Sequence, residues 1–84
     1  MKQIQLANNR GVSLISDKHF GLVSEHKWRK LQAKHTSYAV SDIYRNGKRT
    51  TVKMHRLIMG EPKGKDVDHR DGNGLNNQMS NLRV

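Results

Sequence analysis

Two short runs near the start of the chain alternate polar and apolar residues with a period of two. These are residues 3–6 and 12–15, and the polar sequence Asn8-Asn9-Arg10-Gly11 lies between them. Alternation with this period is typical of a strand that is buried on one face only. The pattern therefore predicts two strands joined by a turn.

A different pattern follows and favours a short helix over residues 18–27, with Ser16 or Asp17 as its N-cap. The apolar positions expected to cover one helix face are Phe20, Leu22 and Val23. Gly21 costs such a helix about 1 kcal/mol relative to alanine, so the helix depends on tertiary packing. Trp28 is expected to anchor the end of the helix.

Residues 28–57 have the pattern of a three-stranded antiparallel meander. Asn46-Gly47 is the preferred pair for a type I′ hairpin turn, and it sets Arg45 opposite Lys48. One sheet face then carries the pairs Ile43 with Thr50, Ser41 with Val52, and Ala39 with Met54. The other face carries Tyr44 with Arg49, Asp42 with Thr51, Val40 with Lys53, and Tyr38 with His55. The first face is mostly apolar, whereas basic and aromatic groups alternate on the second.

The chain beyond the meander predicts a short helix over residues 54–60, closed by Gly60 as its C′ residue, and a linker over residues 61–65 that contains Pro62. Core positions expected to join the two halves of the chain are Leu57, Ile58, Met59, Leu75, Met79 and Leu82. Together these elements predict one α+β domain over residues 1–84, with a strand-rich basic part over residues 1–60.

The charge balance adds a class of partner. Sixteen Lys and Arg residues against seven Asp and Glu give a net charge of +9 on 84 residues. Such an excess in a small domain is typical of a nucleic-acid binder, because cations laid against phosphates release condensed counterions. The alternatives are an ordinary basic surface, or attraction to an anionic membrane or an acidic protein. No basic amphipathic helix supports the membrane alternative.

Cysteine is absent and no apolar run approaches the ~18 residues of a membrane helix, so we expect a cytoplasmic protein without thiol chemistry. The second face of the meander is the candidate surface for double-stranded DNA, because a β-ribbon fits the major groove. Candidate DNA-binding residues, including the basic groups near the linker, are Tyr38, Tyr44, Arg49, Lys53, Arg56, Lys63 and Lys65. An ordinary solvated sheet face is the alternative.

Residues 66–84 carry the candidate chemistry. Val67-Asp68-His69 has the form of a short strand that ends in a carboxylate and an imidazole. A carboxylate can hold a divalent cation, and an imidazole can deprotonate water near neutral pH. Asp71-Gly72-Asn73-Gly74 is the strongest turn signal of the chain. The returning segment brings Asn76, Asn77 and Asn81 towards His69.

The string H-R-L-I-M-G, a basic spacer and then V-D-H-R-D-G-N-G-L-N-N-Q-M-S-N-L-R closely resembles the HNH homing endonucleases of phage genomes and group I introns. The resemblance implies a ββα-metal unit that depends on Mg²⁺ or another divalent metal. It also implies that Asp68 is a metal ligand, His69 the general base and Asn81 the group that orients the imidazole. The family's second metal ligand lies on a following helix, and this chain stops at Val84 before that helix.

With one carboxylate from this incomplete motif, we expect weak metal binding, because Mg²⁺ needs further oxygen ligands in near-octahedral geometry. The chain is either a fragment of a longer nuclease or a small protein that kept the scaffold without the chemistry. His55 could approach Asp68 as an additional ligand, although a hydrogen-bonded structural role is the more common one for such a histidine.

Three hypotheses follow for the function. The first is a metal-dependent DNA endonuclease in which His69 activates water. The second is a DNA-binding module without catalysis. The third is a phage-derived inhibitor that binds a host nucleic-acid-guided nuclease complex, as small anti-CRISPR proteins do.

Overall fold

The computed structural model describes all residues from 1 to 84 as eight short strands in three small sheets, with two α-helices of five residues each. This arrangement confirms the predicted α+β class. No helix has both the length and the apolar character needed to cross a membrane.

The first sheet joins the two ends of the chain. Strands β1 (Lys2–Gln5) and β2 (Val12–Ile15) are antiparallel, as the alternating pattern predicts. A third strand, β7 (Asn76–Asn77), lies parallel to β2, with Leu14 opposite Asn76 and Ile15 opposite Asn77. This pairing brings the candidate site segment against the N-terminal hairpin.

The helix predicted over residues 18–27 is much shorter in the structure. A 3₁₀ turn at Asp17–His19 leads into α1 (Phe20–Ser24). Of the three predicted core positions only Val23 is buried, and the prediction is wrong for Phe20 and Leu22, which are 37% and 42% exposed. A helix of five residues is too short to bury a whole apolar stripe.

Two local predictions around this helix have different outcomes. Trp28 is buried and its Nε1–H donates to the Val23 carbonyl at 2.7 Å, which confirms that it anchors the helix exit. Ser16 occupies the N-cap position of the 3₁₀ turn without capping it. Its hydroxyl instead accepts the backbone N–H of Met79 at 2.8 Å.

The predicted meander forms from β3 (Arg29–Gln32), β4 (Ser37–Arg45) and β5 (Lys48–Lys53). Its hairpin turn has φ of 51° at Asn46 and 77° at Gly47, as a type I′ turn requires. The observed β4–β5 register, from Arg45 opposite Lys48 to Val40 opposite Lys53, confirms the predicted pairs over that range.

The last two predicted pairs, Ala39 with Met54 and Tyr38 with His55, are not strand pairs. Strand β5 ends at Lys53, and α2 (Met54–Ile58) begins at the next residue. The helix turns the chain away from β4, so that Met54 enters the core while His55 stays beside the Tyr38 ring. Gly60, at φ 80°, follows the C-cap Met59 and confirms the predicted helix end.

One core includes residues from both halves of the chain. Its ten buried members are Ile4, Leu6, Ile15, Val23, Trp28, Ala39, Met54, Ile58, Val67 and Leu82. Leu57, Met59 and Leu75 pack against it, as predicted, whereas Met79 is exposed and the prediction for it is wrong. Beside this core, β6 (Asp68–His69) pairs with β8 (Leu82–Arg83) in an antiparallel ladder of two residue pairs.

Candidate functional site

His69 lies on β6 opposite Leu82 and is 8% exposed. Because side chains alternate across a strand, the imidazole turns inward while the side chain of Asp68 turns to solvent. The tight turn after β6 is held by the Gly72 N–H, which donates to the His69 carbonyl at 3.0 Å. The local sequence thus places the imidazole at the edge of the core.

A buried hydrogen-bond chain fixes the His69 ring. The imidazole Nε2–H donates to Oδ1 of the fully buried Asn77 at 2.8 Å. The Asn77 Nδ2 donates to the Ser13 hydroxyl at 2.9 Å, and that hydroxyl donates to the Leu75 carbonyl at 2.9 Å. The Met54 sulfur, 3.3 Å from the same Nδ2, is a second acceptor.

The direction of this chain determines the histidine tautomer. A backbone carbonyl only accepts, so Ser13 donates to Leu75 and accepts from Asn77. The Asn77 amide therefore presents its oxygen to His69, and the neutral ring carries its proton on Nε2. Nδ1 of His69 makes no hydrogen bond in the protein, and it is not one of the two fully buried nitrogens without a partner, which belong to His19 and His55. An imidazole nitrogen with a free lone pair can act as a general base.

Two aromatic rings pack against the imidazole. The centroids of Tyr38 and His55 lie 5.9 Å and 4.6 Å from that of His69. The Tyr38 ring also contacts the backbone of Gly74, where an added Cβ would lie on the Ser37 carbonyl oxygen and 2.6 Å from Cδ1 of Tyr38. Only glycine permits this approach, so the turn after β6 packs directly onto the meander.

His55 is a neutral member of this cluster. It is 5% exposed, and its buried Nδ1 has no hydrogen-bond partner in the protein. Burial, with smaller contributions from His69, Lys53 and Arg56, lowers the pKa of His55 to about 4. The ring lies beside His69 and packs against Tyr38.

Asp68, the predicted metal ligand, lies apart from this cluster. Its Oδ2 accepts hydrogen bonds from Nε and Nη2 of Arg83 at 3.3 and 3.0 Å, across the β6–β8 ladder. No group of three or more His, Cys, Asp or Glu side chains is placed to hold a metal ion. A single carboxylate already paired with a guanidinium does not fit a divalent-metal site.

Asn81 lies on the turn and not on the imidazole. Its Nδ2 donates to Oδ1 of Asp71 and to the Asn76 carbonyl, both at 2.9 Å. The same carboxylate accepts from Asn76 and from the backbone of Asn73, and these bonds lower the pKa of Asp71 to about 2. Asn77 therefore makes the hydrogen bond to His69 that the resemblance assigned to Asn81.

The basic face of the meander leads to this site, and we call it the outer sheet face, defined by Arg29, Tyr38, Asp42, Tyr44, Arg49, Thr51 and Lys53. The Lys53 Nζ lies 5.4 Å from the centroid of the Tyr38 ring, which itself contacts His69. At the other end Tyr44 is 75% exposed beside the hairpin turn. The candidate DNA-binding surface and His69 are thus continuous through Tyr38.

The remaining candidate DNA-binding residues have different surroundings. Arg56 donates to the carbonyls of Pro62 and Lys65 at 2.6 and 2.9 Å, so it holds the linker against α2. Lys63 and Lys65 are exposed. The structure thus places Arg56 in a structural contact and leaves the two linker lysines in solvent.

Sequence reasoning singled out His69 but missed the role of Asn77 and Ser13. The parallel pairing of β2 with β7 joins these two residues across 64 positions. Short polar strands leave no periodic signal of their own. The signal that existed was the cluster of Asn residues after the turn, which does not show which member faces inward.

The comparisons with known proteins bear on the C-terminal part of the chain. Residues 52–84 match a family model described as HNH endonuclease, and this match covers less than half of the chain. Searches among curated proteins and among solved structures found no match. The matched region contains α2, the turn after β6, and the residues His55, His69 and Asn77. The family match, together with the hydrogen bond from His69 to Asn77, supports an HNH endonuclease scaffold for residues 52–84.

Proposed function

We propose that this protein binds double-stranded DNA through the outer sheet face and presents His69 to a phosphodiester at the end of that face. The observation that supports this proposal is the buried chain of hydrogen bonds that runs from His69 through Asn77 and Ser13 to the Leu75 carbonyl. A chain of this kind fixes both the orientation and the tautomer of an imidazole. Nδ1 of the same ring makes no hydrogen bond in the protein, so it keeps a lone pair that can accept a proton.

In this proposal the Nδ1 lone pair of His69 takes a proton from the water that attacks phosphorus. Asn77 holds the Nε2–H, and Asn77 can accept from either the neutral or the protonated ring. The rings of Tyr38 and His55 limit rotation of the imidazole during this transfer.

Hydrolysis also requires stabilisation of the charge that develops on the phosphate and the leaving oxygen. The side chains around His69 do not supply a divalent-metal site for this purpose. We therefore propose that cleavage occurs only when further ligands complete the site, and that DNA binding does not need them.

A second candidate is DNA binding without cleavage, and the Asp68–Arg83 pair favours it. The guanidinium neutralises the one carboxylate that the HNH resemblance assigns to a metal. In that case His69 would contribute to the architecture of the site alone.

A nicking assay distinguishes the two candidates. Supercoiled plasmid is incubated with the protein and Mn²⁺ or Mg²⁺, beside His69→Ala and beside His35→Ala, which alters an exposed histidine outside the site. Nicking that is lost only in His69→Ala would support catalysis. A gel shift without nicking in any variant would support the second candidate, and the absence of any shift would contradict both.

A further inference from the structure

Asp42 lies at the centre of the outer sheet face and gathers side chains from all three strands of the meander. Nη2 of Arg49 donates to its Oδ2 at 2.8 Å, and the Thr51 hydroxyl donates to its Oδ1 at 2.9 Å. Nη2 of Arg29 approaches the same Oδ1 at 3.4 Å. These bonds lower the pKa of Asp42 to about 2, so the carboxylate stays charged at neutral pH.

Asp42 and Arg49 lie beyond the last residue pair between β3 and β4. Strand β3 pairs with β4 only from Ser37, which lies opposite Gln32, to Val40, which lies opposite Arg29. Beyond Val40, β4 pairs with β5 alone, and these two strands form a two-stranded ribbon. The ribbon is held at its tip by Arg45, which donates to both carboxylate oxygens of Glu61 at 3.0 and 2.8 Å. A two-stranded ribbon fits the width of the DNA major groove.

The two basic residues of β5 on this face differ in how they are held. Lys53 presents an ammonium group over the Tyr38 ring, and no carboxylate pairs with it. Arg49 is exposed, but one of its nitrogens is fixed by Asp42, so its planar group has a defined orientation. A flexible ammonium suits a phosphate, whereas an oriented guanidinium suits the paired acceptors of a guanine edge.

We propose that Arg49 reads guanine in the major groove of duplex DNA and that Asp42 is the positioning residue that orients it. This inference rests on the DNA binding proposed above and goes beyond it, because it assigns sequence preference to one residue. The free donors of Arg49 would meet the O6 and N7 acceptors of guanine. Tyr44, exposed on the same face and directly opposite Arg49, would contact the neighbouring base pair.

Replacement of Asp42 distinguishes the positioning of Arg49 from simple electrostatics, because the two predict different effects on sequence preference. Asp42 places a negative charge on a surface that approaches phosphates. If the face only tracks the backbone, Asp42→Asn should tighten binding to every sequence, because a repulsive charge is removed. If Asp42 positions Arg49, the same substitution should remove the preference for guanine while it leaves or tightens binding to other sequences.

The experiment selects preferred duplexes from a random pool with the wild-type protein and then measures the affinity of each variant for a preferred and a scrambled duplex. The wild type is expected to enrich a motif that contains guanine. In Asp42→Asn the ratio of the two affinities should fall roughly tenfold, as expected when one bidentate base contact is lost. Glu61→Gln is the matched control, since it removes the same charge from the other arginine contact of the ribbon and should keep the ratio.

Arg49→Lys is a second variant that keeps the charge of the face and loses the planar fork. It should lose the preference while the salt dependence of binding stays unchanged. A wild-type protein that binds all duplexes alike, or an Asp42→Asn protein that keeps the preference, would overturn this inference and leave the proposed DNA binding intact. A wild-type protein that binds no duplex DNA, or prefers RNA, would overturn both.

Discussion

The hydrogen bond that orients the imidazole of His69 goes to Asn77, a motif residue to which the resemblance assigned no role. Asn77 is fully buried and receives the Nε2–H, and its own amide is oriented by Ser13 and Met54. Asn81, twelve positions after His69, instead braces the turn through Asp71. In a cluster of Asn residues, tertiary pairing decides which one serves the histidine.

This assignment predicts different results for two asparagine substitutions. Asn77→Ala should lower the free energy of unfolding by about 1 to 3 kcal/mol, because Ser13 and His69 lose buried hydrogen-bond partners. It should also change the ring nitrogen chemical shifts of His69 in an NMR spectrum, as the tautomer is released. Asn81→Ala should leave those shifts unchanged. A shift caused by Asn81→Ala alone would contradict the hydrogen-bond chain described above.

The lowered pKa of the buried His55 predicts that the stability of the protein depends on pH. Its pKa is about 4 in the folded protein and about 6.5 in the unfolded chain, so the unfolded state binds more protons between these values. The stabilising effect is fully present above pH 6.5 and is lost as the pH falls towards 4. We expect a loss of about 1 to 3 kcal/mol, since one pKa unit corresponds to about 1.4 kcal/mol.

Urea unfolding at several pH values between 4 and 7.5 checks this expectation. His55→Gln should flatten the dependence, whereas His35→Gln, at an exposed position, should retain the wild-type slope. Asp42 and Asp71 titrate near pH 2 and affect stability only below about pH 4. Identical slopes in the wild type and His55→Gln would show that another group is responsible.

The turn after β6 and the meander meet at one glycine. The Gly74 N–H donates to the Thr36 hydroxyl at 3.0 Å, and its α-carbon leaves no room for a side chain beside Ser37 and Tyr38. The candidate site therefore depends on two elements that are far apart in the chain. Gly21, in α1, has open space around it.

Two glycine substitutions test this contact between elements. Gly74→Ala should destabilise the protein by about 1 to 3 kcal/mol, because the added methyl group overlaps backbone and ring atoms. Gly21→Ala should stabilise it by roughly 0.5 to 1 kcal/mol, since glycine is the poorer helix former and no atom obstructs the methyl group. Thermal or urea unfolding measures both, and equal effects at the two positions would contradict the close packing at Gly74.

Across the whole molecule the positively charged side chains fall into two groups, those paired with a carboxylate and those left unpaired. Each of the four ion pairs between side chains joins an arginine to Asp42, Glu61 or Asp68, and no lysine takes part in one. Exposed pairs of this kind contribute little to stability, but they fix the positions of the guanidinium groups. The lysines carry most of the unpaired positive charge, and they suit contacts with phosphates.

Lys53→Ala should therefore weaken DNA binding on all sequences alike. The slope of log affinity against log salt should decrease in magnitude by about 0.9, as expected for the loss of one phosphate contact. Lys18→Ala, in the 3₁₀ turn outside the outer sheet face, is the control and should leave the slope unchanged. Equal salt slopes for Lys53→Ala and the wild type would remove this face from the binding surface.

The sequence by itself determined the features that depend on local patterns. Asn46-Gly47 set the β4–β5 register, period-two alternation marked β1 and β2, and Gly60 marked the end of α2. These signals are readable because turn geometry and side-chain alternation involve neighbouring residues only. The motif around His69 was equally visible, since its residues are close together in the chain.

Only the tertiary structure decided which residues support His69. Asn77 meets Ser13 through a parallel pairing of strands from opposite ends of the chain. The pairing of Asp68 with Arg83 also depends on tertiary structure, because the β6–β8 ladder brings these two residues opposite each other. Contacts of this kind depend on packing between distant segments, and a local pattern carries no record of them.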